Sequence, residues 1–329
     1  MPHSTLDDVW NGEDGIATLI EKIFKHEFNS TQYMVTYTTI YNYCTATRNS
    51  VPDTSRAVPG ARNPPRGRGQ GRHRQPTASE TFIGGELYDR LRSIINEKVR
   101  VIHGNGCQMM GSEMLKYYEK AWRDYKFSIS VLNGVCRYLN RHWVSREREE
   151  RGDDSANSIY EIYDLGLIEW RDDMYKKLSK NLMSEIMKVI QKERNDESSM
   201  DNQLLLKKII QESFVELGLK RKIAGKDSHE HDLHIYQDGF EQPFLKETEQ
   251  YYQKESNEFI SSNSVVDYLL KVEKRFEEEQ RRVQTYLDNS TAKKVEGVCV
   301  KVLINAHITR LHEEFKVLLE QYKVSNLKI

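Results

Sequence analysis

The sequence is short of the features that mark several protein classes. Its four cysteines, Cys44, Cys107, Cys136 and Cys299, stand far apart with no CxxC pair. That spacing excludes a disulfide framework and a thiolate zinc site, and predicts reduced cysteines in the core of an intracellular protein. No apolar run approaches the ~18 residues of a membrane span, and the N-terminus lacks the apolar region of a signal peptide. A cytoplasmic and nuclear location with no membrane partner is expected. Charge of one sign is also missing: 49 basic residues meet 50 acidic ones, a net of −1. The body therefore has no field that would draw nucleic acid. There is no P-loop, nucleophile elbow or kinase signature. Strand alternation bounded by hairpin turns is absent.

Proline is scarce as well, and five of the seven prolines (Pro52, Pro59, Pro64, Pro65, Pro76) fall within residues 50–80. With "GARNPPRGRGQGRHRQP" this stretch is expected to be a flexible basic loop. Arg66, Arg68, Arg72 and Arg74 could attract phosphates, but no aromatic is interleaved to stack on bases. A solvated insertion between helices is the favoured reading.

What remains is helical. Apolar residues recur at helical spacing over 6–24 and 30–46. Further helices are expected over 82–103, 112–125, 128–148, 159–194, 201–218, 231–261, 264–288 and 291–322. In 264–288, Val265, Leu269, Val272, Phe276, Val283 and Tyr286 form one seam. Glu277–Arg281 and Glu278–Arg282 are expected as ion pairs on its wet side. A weak internal repeat divides the chain at about 150 and 290, as in scaffolds of stacked helical units. Val302, Leu303, Ile308, Leu311, Phe315 and Leu318 are expected to form an open apolar face on the last helix.

Candidates for chemistry are few. "HEHDLH", with His229, His231, Asp232 and His234, could ligate a metal, but HExxH would need histidine at Leu233. A polar inter-helix loop is the favoured reading. "WRDD" and "FEEEQRR" read as solvated helix faces. No catalytic residue, cofactor or metal site is predicted.

The stretch "YMVTYTTIYNYC" (33–44) holds four tyrosines in twelve positions. On a helical wheel Thr36, Ile40, Tyr33, Cys44, Tyr37, Tyr41 and Met34 form one band, which Tyr43 extends. It covers about half the circumference, whereas one core contact needs a stripe only a little over 100° wide. Either the helix is sandwiched inside the fold, or one edge meets another protein. In "VLNGVCRYLNRHWV" (131–144), Leu132, Val135, Cys136, Leu139 and Trp143 make a core stripe. Gly134, Arg137, Tyr138, Arg141 and Ser145 lie opposite, either as an ordinary polar face or as a contact surface.

These two stretches, with "SIYEIYDLGLIEWRD", "VIQKERN", "VELGL", "FLKETEQYYQKES" and "EEEQRRVQTYLDNST", resemble in order the N-terminal half of the cullin family, and within it the Cullin-1 subfamily. The resemblance covers most of residues 6–290. It implies an all-α, elongated stalk of stacked five-helix cullin repeats: residues 1–150, 151–290, and a third, truncated repeat at 291–329. It implies a non-catalytic scaffold of an SCF-type ubiquitin ligase, acting in ubiquitin-dependent protein degradation. The first repeat would bind a Skp-type adaptor with its F-box protein through Tyr33, Met34, Tyr37, Tyr41, Arg137, Tyr138 and Arg141. A RING-box protein would join only where the C-terminal half is present. The sequence departs from the family pattern at Glu13, Val35, Thr36 and Thr39, and "LEQYKVSNLKI" leaves it. The alternatives are a helical tethering scaffold outside ubiquitination, or a truncated cullin that competes with complete ones.

Overall fold

The computed structural model describes residues 6–12, 15–46, 78–151, 159–197, 199–222 and 229–326. Glu13 and almost all of the basic loop lie outside the described residues. The fold class is all-α. In chain order the helices are α1 (Leu6–Asn11), α2 (Ile16–Phe24), α3 (Ser30–Ala46), α4 (Ala78–Gly106), α5 (Gly111–Val135), α6 (Arg137–Leu139), α7 (Ser145–Arg151) and α8 (Ile162–Trp170). They continue as α9 (Lys176–Arg194), α10 (Met200–Ile209), α11 (His234–Tyr236), α12 (Gln242–Ser262), α13 (Val265–Tyr286), α14 (Ala292–Cys299) and α15 (Ile308–Asn326). Two compact units result: residues 1–105 with 121–174, and residues 106–120 with 175–329.

Repeating apolar positions drive both units. In the first, Leu87, Leu91, Ile95 and Val99 put one buried residue on each turn of α4. They share a core with Ile16, Leu19, Ile20 and Ile23 of α2 and Trp122, Tyr125, Ile129 and Leu132 of α5. Two close approaches depend on missing side chains. A Cβ on Gly84 would lie 2.2 Å from the Trp143 ring, and one on Gly166 would lie 2.6 Å from Ile129. Gly166 also leaves its carbonyl free to accept the buried Tyr125 hydroxyl at 2.8 Å. In the second unit, Leu178, Leu182, Ile186 and Ile190 form the matching row on α9.

Several expectations need correction. The helix expected to end at residue 125 runs on to Val135, because "KFSIS" (126–130) holds no breaker and exposes Phe127 to solvent without interrupting the turn. The chain instead breaks step at Cys136, just after Gly134. A two-stranded antiparallel ribbon pairs Lys220–Lys222 with His229–His231, where sequence alternation had shown no strand. Cys136 and Cys299 are buried as expected and Cys44 is half-buried, but Cys107 is exposed.

The largest correction concerns "FEEEQRR". Arg275, Glu279 and Arg282 are buried on α13, while Leu269, assigned to its seam, is 44% exposed. The Glu279 Oε1 atom accepts from Arg194 Nε at 2.9 Å, Arg282 NH1 at 2.7 Å and the Tyr252 hydroxyl at 2.6 Å. Arg275 forks onto both carboxylate oxygens of Glu255 and also reaches Glu278. A buried carboxylate is tolerated only when paired and hydrogen-bonded in this way. Burial pushes the Glu279 carboxyl up. The charges of Arg194 and Arg282 and the Tyr252 hydroxyl outweigh it and hold the group below its ordinary value.

The last helix matches its expectation in part. Ile308, Phe315 and Leu318 are exposed, and so are Val317, Leu319 and Tyr322, but Val302, Leu303 and Leu311 are buried.

Candidate surface for a protein partner

Helix α3 is started by a reciprocal cap. The Gln32 N–H donates to Asn29 Oδ1 at 2.9 Å and the Asn29 N–H donates to Gln32 Oε1 at 3.0 Å, which satisfies two donors at the helix N-terminus. The buried side of α3 is Thr36, Ile40 and Tyr43. Thr36, a departure from the family pattern, is fully buried and donates its hydroxyl to the Gln32 carbonyl at 2.8 Å. That local bond lets a hydroxyl occupy a core position. Burial, reinforced by Glu86, pushes the Tyr43 phenol up to about 12. Burial likewise raises the Cys44 thiol to about 12, so it stays protonated and inert.

The other edge of the band is open. Met34 is 57% exposed, Tyr41 40% and Val35 38%; Tyr33 and Tyr37 are half-buried. Against this edge lies the segment α6 and the π-turn Asn140–Val144 that follows it. Leu132, Val135, Cys136, Leu139 and Trp143 are buried, as the stripe predicted. Arg137 and Arg141 are exposed, and Tyr138 is half-buried.

A chain of rings joins the two elements. Tyr37 stacks on Tyr41 with centroids 6.3 Å apart. Tyr41 meets Tyr138 edge-on at 4.9 Å, and Tyr138 lies 4.4 Å from His142. Tyr33 sits at the other end, edge-on to Phe28, with its hydroxyl over Gly134. A depression of about 370 Å³ is lined by Tyr37, Arg137, Tyr138, Arg141 and His142. The structure thus gathers the seven candidate residues on one pair of neighbouring elements. Sequence reasoning missed His142, which sits four residues after Tyr138, one helical turn on.

Polar side chains fix the inner side of the same segment. Buried Asn140 donates to Asn133 Oδ1 at 2.7 Å. Asn140 Oδ1 accepts from the Ile162 N–H at 3.2 Å, and Asn133 Oδ1 accepts from the Tyr163 N–H at 3.1 Å. Two carboxamides therefore supply the cap for the first turn of α8.

Elsewhere the candidates for chemistry take structural roles. In "HEHDLH" the backbone of His229–His231 forms the ribbon, and Asp232 Oδ1 accepts from the His234 N–H at 3.1 Å. Among the described residues no group of three or more His, Cys, Asp or Glu is placed to hold a metal ion. No helix among them is long and apolar enough to cross a membrane. Asp173 of "WRDD" and Glu169 just before it accept from Asn96, and Arg92 pairs with Glu169 at 3.0 Å, so these carboxylates brace α4.

The family model described as the cullin alpha solenoid domain matches residues 14–329, which extends past residue 290 and includes the segment that departed from the motifs. The chain is 34% identical over 323 residues to Cullin-1 of Dictyostelium discoideum, a match covering 98% of this chain and 38% of that protein. It is 33% identical over 290 residues to Cullin-1 of Caenorhabditis elegans, with 87% and 35% covered. With Cullin-1 of Schizosaccharomyces pombe the identity is 26% over 321 residues, covering 97% and 38%. The chain spans little more than a third of the length of these curated relatives.

Proposed function

The chain belongs to the cullin family, and from that premise we propose that it serves as scaffold for an SCF-type ubiquitin ligase, binding a Skp-type adaptor with its F-box protein through α3 and residues 137–144. The observation that carries this reading is the ring chain Tyr37–Tyr41–Tyr138–His142 beside exposed Met34. Large, stiff side chains cost little entropy to dock and dominate the energetics of interfaces. Their support by a buried stripe on each element keeps them in place before a partner arrives, and preorganisation of this kind raises affinity. The chain contributes no chemistry. Its role is geometric: it holds a substrate receptor where effective concentration does the work. In this reading the repeats divide near residues 150 and 290, the protein works in cytoplasm and nucleus, and a RING-box protein joins where the remaining part of a cullin is present. Calorimetry with a purified Skp-type adaptor and F-box protein tests the proposal. Saturable one-to-one binding is expected, and absence of binding by the intact chain would overturn it.

A further inference from the structure

We infer that the depression between Tyr37 and His142 is a cationic subsite that receives carboxylate side chains of the partner; the inference rests on the adaptor reading above. Helix α3 carries no charged residue along its 17 positions. The facing segment, Arg137 to Val144, holds two arginines and no acid. The docking surface thus has two formal positive charges and no negative one, on a chain whose net charge is −1. Other arginines of the first unit have carboxylate partners: Arg90 has Asp7, Arg92 has Glu169 and Arg100 has Asp173. Arg137 and Arg141 make no ion pair among the described residues, and both are exposed.

They are four residues apart, so their guanidiniums project from one side of the helical segment into the same depression. Tyr37, Tyr138 and His142 complete its wall. Each guanidinium offers a planar fork of donors that matches a carboxylate, and the aromatic walls exclude water from one side of the pair. An acidic partner surface is therefore matched and a basic one rejected, since complementary charge sets partner choice and association rate more than total affinity.

The test is a salt series on the intact chain with a purified Skp-type adaptor–F-box complex. Wild type is expected to lose affinity steadily between ~50 and ~300 mM salt, where screening shortens from beyond ~10 Å to below it. Arg137→Gln with Arg141→Gln is expected to bind about three- to tenfold more weakly at low salt and to show a flatter salt dependence, converging with wild type at high salt. Met34→Ala with Tyr41→Ala is expected to weaken binding equally at every salt concentration. Circular dichroism should show all the proteins equally helical, since the replaced side chains are exposed. If wild type binds but the arginine variant keeps its salt slope, the subsite is overturned and the adaptor reading stands. If wild type does not bind, the adaptor reading falls and the subsite with it. A single-stranded RNA oligomer that binds wild type but not the arginine variant would overturn the assignment to carboxylates.

Discussion

Tyr41 joins the two halves of the proposed docking surface, since it touches Tyr37 on its own helix and Tyr138 on the next element. Replacing Tyr41 and Tyr138 together with alanine should abolish measurable adaptor binding, because truncating anchor side chains costs ~2 kcal/mol or more each. Both rings lie outside the buried stripes, so far-ultraviolet circular dichroism should be unchanged; a collapse of helicity would instead make them core residues. Gly134 gives a subtler test. A Cβ there would lie 2.8 Å from the Tyr33 hydroxyl, at the far end of a side chain that can swing away. Alanine also favours a helix over glycine by roughly 0.5–1 kcal/mol. Gly134→Ala should therefore leave the melting temperature within a few degrees of wild type while weakening adaptor binding, and calorimetry beside a thermal melt separates the two effects.

At the scale of elements, α13 depends on charge in its core. Glu279→Gln leaves buried Arg194 without its counter-charge and Arg282 with Glu193 alone, a loss of about 3 kcal/mol or more. The sign of the pH dependence follows from the direction of the shift. The folded carboxyl sits below its ordinary value, so its stabilising effect is complete above the unfolded pKa of ~4.3 and disappears as pH falls through the folded value. The gap in melting temperature between wild type and Glu279→Gln should be wide at pH 7 and narrow below about pH 4. A gap that widened in acid would contradict the pairing. The same helix shows where sequence reasoning stopped. Tyr268, Val272, Arg275, Glu279, Arg282 and Tyr286 follow one another at steps of four and three, which is the spacing of a buried seam. A search for apolar residues skips the three charged members and substitutes Leu269, which faces water. By contrast α3 was legible from end to end. Its apolar band is wide, its limits are marked by a capping pair and a change in composition, and its open edge is too aromatic to be surplus. The ribbon at 220–231 left no periodic signal because three residues per strand are too few to alternate.

For the whole molecule, near-neutrality has a solution consequence. With a net charge of −1 and a pI of about 6.8, the chain has little long-range repulsion near neutral pH. It also exposes Phe315, Leu318, Leu319 and Tyr322 along α15. The 329-residue chain should self-associate in a concentration-dependent way near pH 7. Phe315→Lys with Leu318→Lys should shift it to a single monomeric species by light scattering, without lowering the melting temperature, because these side chains bury little in the monomer. An unchanged mass distribution would place the association elsewhere. Family membership was readable from the order of the motifs, each weak alone. The grouping of the rings on α3 and residues 137–144 was readable only in part, because a wheel gives the direction of a side chain but not the neighbour it meets.

The π-turn at Asn140–Val144 has a consequence for how the chain can change its length. Such a turn is closed one residue later than an α-turn, and here the Asn140 carbonyl accepts the Ser145 N–H. It therefore holds one residue more than a straight helix would. Removing one of the five would restore the ordinary period, and the four left would turn the chain by nearly the angle that five turn it now, so the helix downstream keeps its face. The segment therefore has a residue to spare, and in-frame loss of a single outward codon there, at Arg141 or His142, disturbs the flanking buried stripe less than the same loss from a regular stretch of helix.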